Sequence, residues 1–470
     1  MSSTPASAPT VEPEDLQVRT MRKVVARLIP VLLVLYVIAY LDRVNVSFAQ
    51  DKLETDLGFS GAVYGFGAGV FFIGYFLLEV PSNLALHRFG ARKWMARIMI
   101  TWGVISACTM LVTGPLSFYA VRFLLGVAEA GFFPGMILYL SYWFPARERG
   151  KAVGFFMSAI AISYAIGAPL SGAIMSALDG VAGLRDWQWL FLVEAAPAVL
   201  AGVFVLFYLD DAPKDATWLA EDEKRWLARR LESEERTRLR AERHSVGEAL
   251  KDRRVLAFGL LYFSMVVNVY GLSFWVGEIV DNVPGLSTVG KGFVTAIPYA
   301  VAIAGLVLIS RHSDRTGERK GHIAVCLAVA AVAFIVSTVV SPVAAIAALA
   351  VGLFFLLGAH PVFWTMPAAL LSGTAAAAGI ALINSIGNLG GFVGPYLVGL
   401  VKDATGSTDG GLIALAVILL GGAVLATRVA HDPELERAPR DEARFARPDG
   451  AATAAVSPAR RTASSSPSRS

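Results

Sequence analysis

Residues 28–49 read LIPVLLVLYVIAYLDRVNVSFA, a run of apolar side chains broken only by Asp42 and Arg43. Residues 116–140, LSFYAVRFLLGVAEAGFFPGMILYL, repeat the pattern with Arg122 and Glu129. Each run is long enough to cross the roughly 30 Å hydrocarbon layer of a bilayer as a helix. A charge at that depth costs roughly 2.5–3.5 kcal/mol on insertion scales. Two such runs carrying both signs imply charges that face each other, water, or a charged solute.

The whole chain supports a membrane reading. It has 470 residues, 55% hydrophobic and only 17% charged, with mean hydropathy +0.58. Soluble domains carry about 25% charged residues. The net charge of +4 does not argue for nucleic acid, because the basic residues fall in short segments between apolar runs. Cys108 and Cys326 each lie within an apolar run, far apart, so neither a disulfide framework nor a zinc site is expected. No metal, nucleotide or catalytic triad motif stands out, and no phosphate-binding glycine loop occurs.

Twelve spans are expected, at roughly 24–49, 60–86, 94–113, 115–143, 150–177, 187–209, 255–280, 290–310, 321–341, 343–371, 376–402 and 408–430. The expected division is a tail at 1–20, a six-helix bundle at 21–209, a charged linker at 210–254, a second bundle at 255–430 and a disordered tail at 431–470. Within the linker, 217–243 reads as a solvated surface helix. The first run lacks a small-residue cleavage site and is expected to stay as a membrane helix. Fifteen basic residues fall in the short segments on the side of the N-terminus, among them Arg19, Arg88, Arg147 and Arg315; the other side holds only Lys52, Arg185, Lys291 and Lys402. That bias predicts both termini and the linker on the cytoplasmic side of an inner membrane.

The halves repeat. HRFGARK at 87–93 matches DRTGERK at 314–320, and GAPLSG at 167–172 matches GPYLVG at 394–399, both with an offset of 227. Two distant motifs sharing one offset indicate a duplicated six-helix unit, as in transporters whose halves rock about a central site.

With these motifs the sequence resembles the major facilitator superfamily over about residues 20–430. Its loop signature survives in the second half as Asp314, Arg315, Gly317, Arg319 and Lys320, with Ser310 at the opening position. In the first half Arg88, Gly90 and Arg92 are kept, but Asn83 and His87 replace the opening glycine and the acid, which weakens a latch role there. YLDRVNVSFA (40–49), VPSNLALHRFGARKW (80–94), RFLLGVAEAGFFPG (122–135) and the run 361–392 narrow the likeness to the anion:cation symporter family. The resemblance implies an all-α fold of twelve transmembrane helices and a non-enzymatic permease. It also implies import of an organic acid such as tartrate, a sugar acid or an aromatic carboxylate, with the proton as coupling ion and no other cofactor. Asp42 and Glu129 match that family's proton-handling acids; Arg43 and Arg122 match its substrate and coupling arginines. The two loops match its gating segments.

Depth can be counted at about 1.5 Å per residue. Asp42 and Arg43 then lie roughly 13 Å from an outer end near Asp51, and Arg122 roughly 10 Å below Pro115. Glu129, seven residues further on nearly the same face, falls near mid-membrane, where an acid is expected to titrate near neutral pH. The plainer reading is two internal ion pairs that only hold helices together, but buried pairs are poor stabilisers.

Polar groups in the other spans are pocket candidates: Tyr36, Tyr75, Asn268, Trp364, Thr365, Asn384 and Asn388. Each could instead make an ordinary interhelical hydrogen bond worth about 0.6 kcal/mol, a reading that suits Tyr270 and His360 at least as well. Glu79 and Glu194 are expected to be structural, paired with loop arginines. The expected partners are a small carboxylate and the lipid bilayer, with no nucleic acid, around a monomer. An anion exchanger or uniporter without proton flux, or a membrane sensor, remains the competing reading.

Overall fold

Two serines separated by 227 residues start equivalent helices. Ser60 accepts a hydrogen bond from the Val63 N–H to cap α3 (Gly61–Phe89), and Ser287 accepts from the Gly290 N–H to cap α12 (Thr288–Thr316). Pro115 and Pro342, again 227 apart, open α5 (Pro115–Glu129) and α14 (Pro342–Leu370), where a missing N–H costs nothing. A further pair of equivalent helices is α7 (Ala146–Leu178) and α15, described over Gly373–Asn388. The duplication seen in two sequence motifs therefore extends to the helix boundaries.

This computed structural model describes residues 13–241, 252–370 and 373–429. The first twelve residues, part of the linker at 242–251 and the expected disordered tail at 431–470 lie outside the described residues. The remaining helices are α1 (Pro13–Val44), α2 (Gln50–Leu57), α4 (Ala91–Ala107), α6 (Phe132–Trp143), α8 (Asp186–Tyr208), α9 (Glu221–Ala241), α10 (Arg253–Ser273), α11 (Val276–Asp281), α13 (Lys320–Ser337), α16 (Gly390–Thr405) and α17 (Asp409–Arg428). No strand occurs among the described residues.

Eleven helical stretches among the described residues are long and apolar enough to cross a membrane. The remaining expected span is made by α15 and α16, 16 residues each, which meet at Leu389. In the first half α4 packs along α8, α3 along α5 and α1 along α7; in the second, α12 along α14 and α13 along α14 and α17. The halves meet mainly through α3 on α16 and α7 on α12.

Those two crossings are equivalent. A Cβ at Gly65 would come within 2.4 Å of the Pro395 carbonyl oxygen, and one at Gly292 within 2.5 Å of the Ala168 oxygen. Gly65 and Gly292, like Ala168 and Pro395, are 227 apart. Glycine is required because the backbones touch, the small-residue packing of membrane helices.

The linker is more than a solvated connector. The carboxylate of Glu223 in α9 is buried and accepts from Arg19 and Lys23 of α1 at 2.9 Å each, while Asp222 pairs with Arg19 at 2.6 Å. Just before α9, Trp218 stacks on Trp143 at 5.5 Å.

Candidate functional site

The four interior charges converge. Asp42 and Arg43 occupy the last turn of α1, which gives way at Val44 to a tight turn over 45–47 before α2 continues to Leu57. Arg122 and Glu129 lie on α5, which stops at Glu129. Ala130 leaves the helical region there, and Gly131 adopts a left-handed φ of +86° against Ser82, a conformation that a Cβ would forbid. The span expected to run unbroken from 115 to 143 is thus interrupted at its buried acid.

Glu129 accepts a direct bond from the Arg43 guanidinium. The expectation that Glu129 lies deeper than Arg43 is corrected: the two share a level. Span one does not end near Asp51, because α2 carries it on to Leu57. Counted from there, Arg43 is fourteen residues down, and Glu129 is fourteen below Pro115, about 21 Å in each case.

Arg43 also reaches across to the second half, where its Nη1 donates to the Tyr270 hydroxyl at 3.4 Å. The rings of Tyr40, Phe71 and Tyr75 lie 5.0–5.4 Å from its guanidinium carbon, a cation–π cage. Tyr36 lies one turn further along α1, edge-on to Tyr40 and stacked on Phe156 at 4.3 Å, so it floors the cage.

Arg122 is treated differently. It is 1% exposed, yet its hydrogen bond is a 3.3 Å contact from Nη2 to the Ala68 carbonyl, and its Nε has no partner. Asp42 is fully buried and accepts from the Ser106 hydroxyl and, at 3.4 Å, from Asn45. Among the described residues neither has an opposite charge within 4.0 Å. The plainer reading required two ion pairs; among the described residues the site forms one and leaves a buried cation and a buried carboxylate without an oppositely charged partner within 4.0 Å. That arrangement is costly for stability and suits a site that waits for a ligand charge.

The second half contributes hydroxyls, rings and an amide. Tyr270 packs on Phe72 at 4.5 Å; Tyr164 and Tyr299 stack at 4.2 Å and share the Ser273 hydroxyl at 3.2 and 3.0 Å. Asn384 donates to Glu79 at 3.4 Å across the halves, and Trp364 lies against Tyr262 at 4.8 Å. Asn388 is half-buried at the end of α15. Other expected pocket groups turn back on their own helices. Thr365 donates to the Val362 carbonyl at 2.8 Å, and His360 donates to the Leu356 carbonyl at 2.9 Å.

Asn268 does not join the site. It is fully buried and donates to the Ser264 carbonyl at 2.8 Å. Its neighbours one turn to either side, Ser264 and Gly271, pack on Gly422 and Leu415 of α17. That face of α10 points into the second half, while Tyr270, two residues on, points to the first. Glu79 and Glu194 meet no loop arginine among the described residues; their partners are Asn384 and the Ser171 hydroxyl.

In the signature loops, Arg319 bonds Asp314 at 2.8 Å and the Ser313 hydroxyl at 2.9 Å, with Gly317 capping α12 in a left-handed turn and Arg315 exposed. The first loop lacks the acid, but Asp211, after α8, supplies one. Its carboxylate accepts from the Arg92 N–H at 2.8 Å and sits against Gly90, while Arg88 packs on Phe89.

A cluster that motif reading did not single out seals the end of the bundle remote from α9. Lys402 bonds Glu54 and Glu278 at 2.8 Å each, and Gln50 donates to Glu278 at 2.7 Å. The Asp403 carboxylate accepts from the Gly61 and Ala62 N–H groups at 2.8 Å each, capping α3 from the other half. The only sequence signal was Lys402 itself, one of four basic residues on that side.

The fold has close counterparts. It superposes on a D-xylose–proton symporter with a TM-score of 0.69 at 17% identity, covering 87% of this chain and 99% of that one. A bacterial homologue of the human lysosomal transporter Spinster, inward-facing and occupied, gives 0.70 at 15% identity, covering 86% and 97%. By sequence, a protein named putative tartrate transporter from Agrobacterium vitis is 50% identical over 412 residues, covering 87% of this chain and 94% of its own length. A quinolone resistance transporter of Acinetobacter baumannii is 45% identical, covering 87% and 95%, and the inner membrane transport protein RhmT of Escherichia coli K12 is 41% identical, covering 85% and 92%. The profile of the Major Facilitator Superfamily matches residues 32–395 and 285–467. With its two equivalent halves around a buried charge site, the chain belongs to the Major Facilitator Superfamily and is a membrane transporter, not an enzyme.

Proposed function

We propose that the chain is a proton-coupled symporter that imports a small hydroxylated organic acid by alternating access, as a monomer in a bacterial-type inner membrane. One observation carries this reading: Arg43, the cation best placed to take a carboxylate, is already held by Glu129. A ligand carboxylate and the Glu129 carboxylate compete for one guanidinium. Protonation of Glu129 removes the competitor, and Arg43 is then free for the substrate, with the Tyr270 hydroxyl of the second half at its other edge. Arg122 stands ready for further negative charge, and Asp42 lies near enough to respond to it. The tyrosine and serine hydroxyls of the cage suit the hydroxyls of a tartrate-like or sugar acid, in keeping with the names of two relatives from Agrobacterium vitis.

The loop charge bias puts the termini in the cytoplasm, so the Lys402 and Asp403 cluster lies outside and the outer side is closed. Substrate and proton then leave inward, Glu129 recaptures Arg43, and the carrier resets. The test is uptake of labelled L-tartrate into proteoliposomes after a pH step. Glu129→Gln is expected to lose accumulation driven by the pH gradient while keeping tartrate counterflow. Gradient-driven accumulation unchanged in that variant excludes Glu129 as the coupling acid, and wild-type uptake indifferent to the gradient favours an exchanger or uniporter.

A further inference from the structure

Where α1 breaks, four more elements meet it around a second acid. Asp42 accepts from the Ser106 hydroxyl of α4. Asn45, in the turn after α1, donates to the same Asp42 oxygen and also interacts with the Glu194 carboxylate of α8. Glu194 in turn accepts from the Ser171 hydroxyl of α7 at 2.7 Å. Asp42, Asn45, Ser106, Ser171 and Glu194 are all buried.

Three oxygens in this cluster have neither a partner nor access to solvent: Asp42 Oδ2, Asn45 Oδ1 and Glu194 Oε2. The unpartnered Trp102 indole N–H beside Asp42 can serve only one of these three acceptors, so the cluster still lacks a donor, since buried polar groups are nearly always bonded. A carboxylic acid O–H is a donor where a carboxylate oxygen only accepts. One proton therefore turns one orphan into the partner of another. Three free oxygens fall short of the six or so that a hard metal cation gathers. The charge balance agrees. Among the described residues of the spans Asp42, Glu79, Glu129 and Glu194 are buried against Arg43 and Arg122. The groups facing the pair are Arg122 and Glu129 of α5 and the Trp102 indole of α4, all on the Asp42 side, with Asp42 itself facing Glu194. No cation lies within 4.0 Å of either acid among the described residues.

We propose that Asp42, Asn45 and Glu194 form a proton site distinct from the Arg43–Glu129 pair, in which one proton is shared between the two carboxyls and Asn45 positions them. When the proton passes from Glu194 to Asp42, Glu194 becomes the carboxylate and Asp42 the acid, and the net charge stays at one negative. Glu194, outside the substrate cage, thereby holds a proton near the transport charges while Arg43 is occupied. The role in transport rests on the symport reading above; the existence of the site does not.

Infrared difference spectroscopy of the purified, substrate-free protein across a pH titration reads this directly, with the proton as the probe. The wild type is expected to show a protonated-carboxyl carbonyl band at neutral pH that Glu194→Gln removes and Ser171→Ala shifts, the second variant keeping the acid if the first does not fold. Tartrate uptake by Glu194→Gln proteoliposomes should then move about one proton fewer per substrate. A neutral-pH band untouched by both variants overturns the proposal, and so does a band abolished by sodium at constant pH, which makes the site a sodium site. If the wild type shows no pH-driven uptake yet the band behaves as stated, the symport reading fails and the proton site stands.

Discussion

The two halves are alike where they pack on each other and unlike at their buried charges. At the end remote from α9 the backbone match is close: Ser60 and Ser287 cap equivalent helices, and the Gly65–Pro395 crossing is repeated as Gly292–Ala168. At the centre the same 227-residue offset relates Arg43 to Tyr270, Arg122 to Leu349, Glu129 to Leu356 and Asp42 to Val269. Arg43 and Tyr270 touch, so equivalent positions face each other across the pseudo-twofold with different chemistry. Equivalent backbone packing at the two crossings is what the proposed alternating access would use. The buried charges lie in the first half and face hydroxyls and rings of the second; on the proposed function this puts ligand and proton chemistry on one side.

The largest way to break this contrast is to give Arg122 the side chain of its counterpart. Arg122→Leu is expected to abolish uptake while leaving thermal stability unchanged or higher, because a buried cation without a carboxylate partner contributes little to folding. Melting and uptake measured on the same preparation check it, and a large drop in melting temperature would assign Arg122 to structure.

Testing the symmetric part comes next. Gly65→Val and Gly292→Val each force a side chain onto a carbonyl oxygen where the two halves cross. Overpacking of this kind costs about 1–3 kcal/mol. Each variant should therefore shift the balance between states by roughly tenfold or more, and by similar amounts. Distance distributions between spin labels on the ends of α3 and α16 remote from α9 would show it; a strong effect in only one variant denies the equivalence.

Much of this was legible in the sequence, for a physical reason. A charge in an apolar run is expensive, so Asp42, Arg43, Arg122 and Glu129 announced themselves, and the offset of 227 revealed the duplication. What failed was geometry beyond a single helix. Counting depth from Asp51 missed the α2 extension and separated Arg43 from Glu129. Asn268 and Tyr270 are two residues apart, about 200° around a helix, and only packing on α17 decides which one faces the site. Lys402, Glu54 and Glu278 come from three distant segments, and no local pattern joins them. Nor could spacing show that Asp211 stands in for the acid that His87 replaces.

The smallest effect concerns the linker, which belongs to neither half's chemistry. Burial opposes ionisation of Glu223, but hydrogen bonds from Lys23 and the Ala220 N–H, with Arg19 beside it, hold its carboxyl below the usual range. A depressed acid stabilises its docked form above its unfolded value of about 4.3 and loses that stabilisation as pH falls through the lower folded value. Docking of α9 on α1 should thus persist across the neutral range and loosen only in acid, as increased proteolysis of the linker. Loosening near neutral pH would tie the linker to the transport protons.

The central claim of the proposal is that a proton on Glu129 lets a substrate carboxylate take the place of the Glu129 carboxylate on Arg43. Calorimetry of L-tartrate binding in buffers of different ionisation enthalpy counts the protons taken up on binding. The account predicts uptake of about one proton per tartrate in the wild type at neutral pH and a clear reduction in Glu129→Gln with binding retained. Proton uptake that is the same in the wild type and in Glu129→Gln would contradict it.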